Sequence, residues 1–158
     1  MVELNHGAQA REAGGIGPTG DWKRWLWYWG PALIWAVGLY LASAQPALPR
    51  PGERFGVSDD VVNYTTHALS YAVLAWLVWR PLQRGVGRLP DVVVALPRWA
   101  AWLFAVAYAL ADEIHQAFVP GRTASLWDVL ADALGATAAM GLVWVMSRRE
   151  GEPCAGCR

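Results

Sequence analysis

The chain has 158 residues, 55% hydrophobic and only 16% charged, with 11 Trp, and its 13 Lys and Arg balance 13 Asp and Glu. A positive mean hydropathy and so few charges set it apart from ordinary soluble domains. A net charge of zero removes the usual electrostatic argument for nucleic-acid binding, so no DNA or RNA partner is expected.

Residues 1–21 are Gly-rich and polar, lack hydrophobic periodicity, and read as a disordered cytoplasmic leader. Apolar residues then gather in four stretches, Trp25–Ala44, Val61–Trp79, Trp99–Phe118 and Leu126–Met146. Each is close to the ~20 residues with which a helix crosses ~30 Å of hydrocarbon. The connections are too short to enclose a second core. The expected fold class is all-α: a small polytopic bundle of four transmembrane helices over 22–147, followed by a cytoplasmic tail at 148–158.

Lys23 and Arg24, the first apolar run and Ala42-Ser43-Ala44 also resemble a signal peptide with its cleavage site, but the run exceeds the ~7–15 residues usual there, so a retained span is expected. Pro46, Pro49, Pro51 and Gly52 make an extended outer loop, after which Ser58, Asp59 and Asp60 offer N-caps for the second helix. In the tail, Cys154 and Cys157 form a CxxC that is at most half of a tetrahedral zinc site; with no second pair in the chain, a structural zinc would need a partner. A reduced pair in a flexible tail is the plainer reading.

Ten of the positive residues fall before the first span, in the second loop or in the tail, and three, Arg50, Arg54 and Arg122, in the first and third loops. The positive-inside rule therefore predicts both termini in the cytoplasm. Trp22, Trp25, Trp27, Trp29, Trp76, Trp79, Trp99, Trp102 and Trp144 all fall near the inner boundary, as an interfacial aromatic belt.

Ionisable residues inside a span are costly, so their depth is informative. At 1.5 Å per residue His67 lies about 9 Å below the outer surface, with Tyr71 one turn deeper on the same face. Asp112, Glu113, His115 and Gln116 come late in the third span, and Asp128 and Asp132 early in the fourth. Three helices thus place their polar groups at one level, the outer third of the membrane. Asp112, His115 and Gln116 share a face, with Glu113 turned about 100° away. Asp128 and Asp132 share another, which Ala131, Gly135 and Ala139 extend as a strip of small residues.

The connection Val119-Pro120-Gly121-Arg122 is a turn signal, and Ser125-x-x-Asp128 a capping box whose members can serve simply to start the fourth helix. Arg122 is the sole cation near the acidic level and is expected to pair with Asp112, Glu113, Asp128 or Asp132, although its planar fork also suits an anionic ligand. His67 and Tyr71 read equally as a helix-to-helix hydrogen-bonding pair and as an imidazole for metal binding or proton transfer.

Asp112-Glu113-Ile114-His115-Gln116, then Val119-Pro120-Gly121-Arg122, Ser125, Asp128 and Gly135, resemble the signature of the VanZ-like family, approximately DExxQ…PGRxxSxxDxxxNxxG. His67-x-x-x-Tyr71-x-x-Leu74 is similar to that family's DKxxHxxxYxxL. Asn63-Tyr64 stands where the family usually has Asp-Lys, and Asp132 where it usually has Asn. The resemblance implies a four-helix protein of the bacterial cytoplasmic membrane, in a family whose founding member is linked to resistance to the glycopeptide teicoplanin.

Three functions compete. The first is a non-catalytic envelope protein that binds a lipid-linked or peptidoglycan-related ligand through the outward pocket, with Arg122 on an anionic group, and so affects glycopeptide sensitivity. The second is an intramembrane enzyme in which His67, Glu113 and Asp128 hold a metal or act as acid and base on a lipid-linked substrate. The third is a proton- or ion-coupled carrier, for which four helices are few. The order of preference is as given, because H-E-x-x-H, G-x-S-x-G and P-loop motifs are all absent.

Overall fold

The computed structural model describes residues 18–46, 56, 58–86 and 96–150, with the side chains of 18–21 and 150 left aside. Four helices follow in chain order: α1 Pro18–Ser43, α2 Asp59–Gln83, α3 Pro97–Gln116 and α4 Leu126–Glu150. Among the described residues there is no strand. The leader before Pro18, most of the first loop, and Cys154 and Cys157 lie outside the described residues. Helix α1 begins at Pro18, so it takes in residues read as the end of the leader.

Local chemistry sets the helix ends. The Ser58 hydroxyl accepts from the Val61 amide at the start of α2, where Asp59 and Asp60 oppose the positive end of the helix dipole. Gly85, at φ 58°, closes α2 in a Schellman motif, with Gly85 N donating to Leu82 O at 3.1 Å and Val86 N to Pro81 O at 3.0 Å. Pro97 opens α3 at a position where its missing N–H costs nothing. After α3, Val119 to Arg122 make a type II turn: Pro120 leads, Gly121 supplies φ 81°, and Arg122 N returns to Val119 O at 3.1 Å.

The helices run up and down in sequence. Trp29 Nε1 donates to Val86 O at 3.0 Å, joining the early part of α1 to the end of α2, and Asn63 near the start of α2 meets Asp128 near the start of α4. One end of the bundle therefore gathers the C-termini of α1 and α3 and the N-termini of α2 and α4. Helix α2 packs most extensively against α4, then α3; α1 lies on α2 and touches α3 only marginally.

Small residues allow this packing. Ala101, Ala105 and Ala109 form a fully buried stripe on α3 at helical spacing, which Asp112 and Gln116 continue. On α4, Gly135 is pressed against α2, where a Cβ would overlap the Ala68 carbonyl oxygen and sit 2.8 Å from the Ala68 Cα. Tyr71, Leu74, Ala75, Val78 and Leu82 of α2 fill the core with Ala136, Met140 and Val143 of α4.

The outside is apolar as well: Ile34 of α1, Leu69 of α2, Leu103 of α3 and Leu134 of α4 are 75%, 63%, 62% and 69% exposed. Among the described residues one helix, Leu126–Arg149, is long and apolar enough by itself to cross a membrane. Trp and Tyr dilute the other three, and in α2 and α3 so do the polar residues that face the bundle interior.

Two of the tryptophans read from the sequence as an aromatic belt also hold helices together. Trp29 and Trp102 pin helices through their indole N–H groups, to Val86 O at 3.0 Å and to Thr137 Oγ1 at 2.9 Å. A buried or half-buried indole nitrogen finds a partner in preference to an unmet polar edge. Trp35 Nε1 to Ser70 O and Tyr108 OH to Ala36 O tie α1 to α2 and α3 in the same way.

Candidate functional site

The polar residues of α2, α3 and α4 meet at the end where α4 begins. Two hydrogen bonds join α2 to α4. The Asn63 amide donates to Asp128 Oδ1 at 2.8 Å, and one turn deeper His67 Nδ1 lies 3.1 Å from Asp132 Oδ1. The spacing explains the ladder, because Asn63 and His67 are four apart on α2 and Asp128 and Asp132 four apart on α4. Tyr71 is the next step on the α2 face; it is buried against the Tyr108 ring, and its hydroxyl has no partner.

Helix α3 contributes the other carboxylates. Gln116 Nε2 donates to Asp112 Oδ2 at 3.2 Å within the helix. Glu113, which its position about 100° from that face would set apart, is buried too: its Oε2 accepts the backbone N–H of Ser125 at 2.7 Å, and its Oε1 is unpartnered. This contact remakes the expected capping box. The Ser125 hydroxyl caps α4 by accepting from Trp127 N at 3.2 Å, but Glu113 of α3, not Asp128, takes the Ser125 amide. Asp128 is thereby free to bind Asn63.

Two expected members lie elsewhere. His115 turns toward α1, its ring 4.7 Å from that of Tyr40, and its Nε2 is buried without a partner. Arg122 pairs with none of Asp112, Glu113, Asp128 and Asp132, and the His67–Asp132 contact is the one ion pair among the described residues. The Pro120-Gly121 turn carries Arg122 to the end of α1, where Nη2 donates to Ala42 O at 3.3 Å. The last carbonyls of a helix lack internal partners and lie at the negative end of its dipole, so a guanidinium is well placed there. Its Nε has no partner, nor does the buried Ser43 hydroxyl beside Ala42.

The site thus holds four buried carboxylates whose partners are an amide, an imidazole, a glutamine and a backbone N–H, with no lysine or arginine among them. Buried acids held this way act as hydrogen-bond acceptors, and none of them is locked in a fork with a guanidinium. Among the described residues no group of three or more His, Cys, Asp or Glu is placed to hold one metal ion. Asn63 belongs to the network although it does not stand out as a site residue in the sequence; its signal is the four-residue step to His67 and Tyr71. Tyr40 and Ser43 of α1 give no such signal.

The described residues thus form an antiparallel four-helix bundle with an apolar exterior and a carboxylate-rich polar network at one end. The family model described as VanZ/LLP1 matches residues 31–147, from within α1 almost to the end of α4. The chain belongs to this VanZ-like family. No curated protein and no solved structure matches it.

Proposed function

We propose that the protein is a multi-pass protein of the bacterial cytoplasmic membrane, with four spans and both termini inside. Its outward polar site binds a lipid-linked or peptidoglycan-related component of the envelope, and glycopeptide sensitivity responds to that binding. Exposed Ile34, Leu69, Leu103 and Leu134 support four spans, since large apolar side chains exposed on every helix suit lipid better than water.

One observation carries the binding reading. Among the described residues Arg122 has no carboxylate partner, and its Nε, the His115 Nε2 and the Ser43 Oγ are buried polar atoms without partners on three adjoining elements. Unmet buried donors are costly, and an anionic or hydroxyl-rich ligand group would satisfy them.

The test sets stability against phenotype. His67→Ala, Glu113→Gln, Arg122→Lys and Asp128→Asn are each measured for melting temperature in detergent and for glycopeptide and envelope-stress sensitivity in cells. Loss of phenotype with melting temperature kept is expected for His67→Ala and Glu113→Gln, because functional sites are often not optimised for stability. Ser125→Ala, which loses the α4 cap, should cost about 1 kcal/mol and lose phenotype only in step with that. A tight correlation of the two readouts across all variants would make the network a bundle-holding device and refute the site.

A second reading, an acid–base enzyme on a lipid-linked substrate, draws on the His67–Asp132 pair. Asp132 takes Nδ1 and leaves Nε2 for proton transfer, and Glu113 Oε1 and the Tyr71 hydroxyl are further unpartnered groups in the network. His67→Gln, which can keep a hydrogen bond to Asp132 without the titrating ring, separates the two: binding survives it and turnover does not.

A further inference from the structure

At the end of the bundle away from the polar network, residues of α3 and α4 line an open groove of about 600 Å³. That volume is in the range of small-molecule sites. Its walls are Trp99 and Trp102 of α3 and Met140, Gly141 and Trp144 of α4, and Arg98 stands at the start of α3. The polar atoms inside are already satisfied: Trp102 Nε1 donates to Thr137 Oγ1 at 2.9 Å, and the Thr137 hydroxyl donates to Ala133 O at 2.7 Å. What remains is an apolar slot with cations at one end. Arg98 makes no ion pair among the described residues, and Arg148 lies over the Trp144 ring, 3.9 Å from its centroid. A Cβ at Gly141 would meet nothing within 4 Å, so the wall there faces empty space.

We propose that this groove is a binding site for one anionic phospholipid, an acyl chain lying along Trp99, Trp102, Gly141 and Trp144 and the headgroup phosphate on Arg98. Charge decides the class. Lys23, Arg24, Arg80, Arg84, Arg98, Arg148 and Arg149 all belong to this end, and of the described lysines and arginines only Arg122 belongs to the other. A phosphate gains from that field, and basic pockets between helices at the cytoplasmic leaflet are where anionic headgroups collect. A zwitterionic lipid would fill the slot without that gain. The inference rests on the membrane reading above but not on the polar site, which lies at the other end.

The full-length protein, reconstituted with equal phosphatidylglycerol and phosphatidylcholine and released into the gas phase for native mass spectrometry, tests it. Wild type is expected to retain one phosphatidylglycerol with a preference of about five-fold over phosphatidylcholine. Gly141→Leu fills the slot from its own wall and should lose the bound lipid while keeping its melting temperature. Arg98→Gln should retain lipid but lose the preference. Equal retention by wild type and Gly141→Leu would overturn the proposal, as would equal retention of the two lipids by wild type. A dimer that disappears in Gly141→Leu would assign the groove to a second copy of the chain and overturn it equally. A wild-type chain that remains outside the bilayer would instead refute the membrane reading itself.

Discussion

Asn63 and Asp132 are the two positions where this chain departs inside the network from the family pattern it resembles, and they form the two rungs between α2 and α4. Where the usual pattern has an acid at the first and an amide at the second, this chain has the amide on Asp128 and the acid on His67. Relative to that pattern, the acid and the amide change places between the two rungs. Returning an acid to the first position alone would set two carboxylates face to face at the 2.8 Å rung. Asn63→Asp is therefore expected to destabilise the bundle by about 1–3 kcal/mol, and adding Asp132→Asn to recover part of that, because the pair restores the net charge. Thermal unfolding in detergent of both single variants and the double measures the coupling, and strictly additive losses would show that the rungs do not sense each other.

Helix positions are legible because each helix is an apolar run closed by residues with a mechanism: Ser58, Gly85, Pro97 and the Pro120-Gly121 turn. Faces are legible where one neighbour dominates. Ala101, Ala105, Ala109, Asp112 and Gln116 line up as a 3.6-residue repeat requires. Periodicity gives the angle of a residue and not the neighbour it will find, which is why His115 goes to Tyr40 of α1 while Glu113 reaches the start of α4. Arg122 was illegible for a related reason: charge pairing favours the acids, but the competing acceptor is a helix terminus, which no side chain announces. Gly135 offers the sharpest test at this scale. With its position against the Ala68 carbonyl, Gly135→Ala must separate α2 from α4 and should cost about 1–3 kcal/mol, whereas Gly141→Ala, facing open space, should cost nothing measurable. Equal melting temperatures for the two would contradict the close approach of those helices.

Across the whole molecule the two ends differ in kind. One carries buried acids and the turn with Arg122; the other carries the remaining described cations, several stacked on aromatic rings, as with Arg80 over Tyr28 and Trp76 and Lys23 over Trp22. Such stacked cations suit the headgroup region, where an apolar ring and a charge can each meet their own solvent. The expected outcome is that alkaline phosphatase fused after Arg158 is inactive and a fluorescent-protein fusion there is bright, while phosphatase inserted after Pro46 is active. The opposite pattern would invert the molecule and place the polar site on the cytoplasmic side.

The close pairing of α2 with α4, across the intervening α3, also dictates an order of events during synthesis. In the four-span arrangement proposed above, Asn63, His67 and Glu113 enter the membrane with the second and third helices, yet their partners Asp128, Asp132 and Ser125 belong to α4 and the residue before it. Until the ribosome has delivered α4, the nascent chain would carry the His67 imidazole, the Asn63 amide and the Glu113 carboxylate without these partners, a state expensive in lipid. Completion of the chain and quenching of those groups are thus a single event, and a protein cut short before Leu126 would display to membrane quality control the very residues that a finished copy conceals.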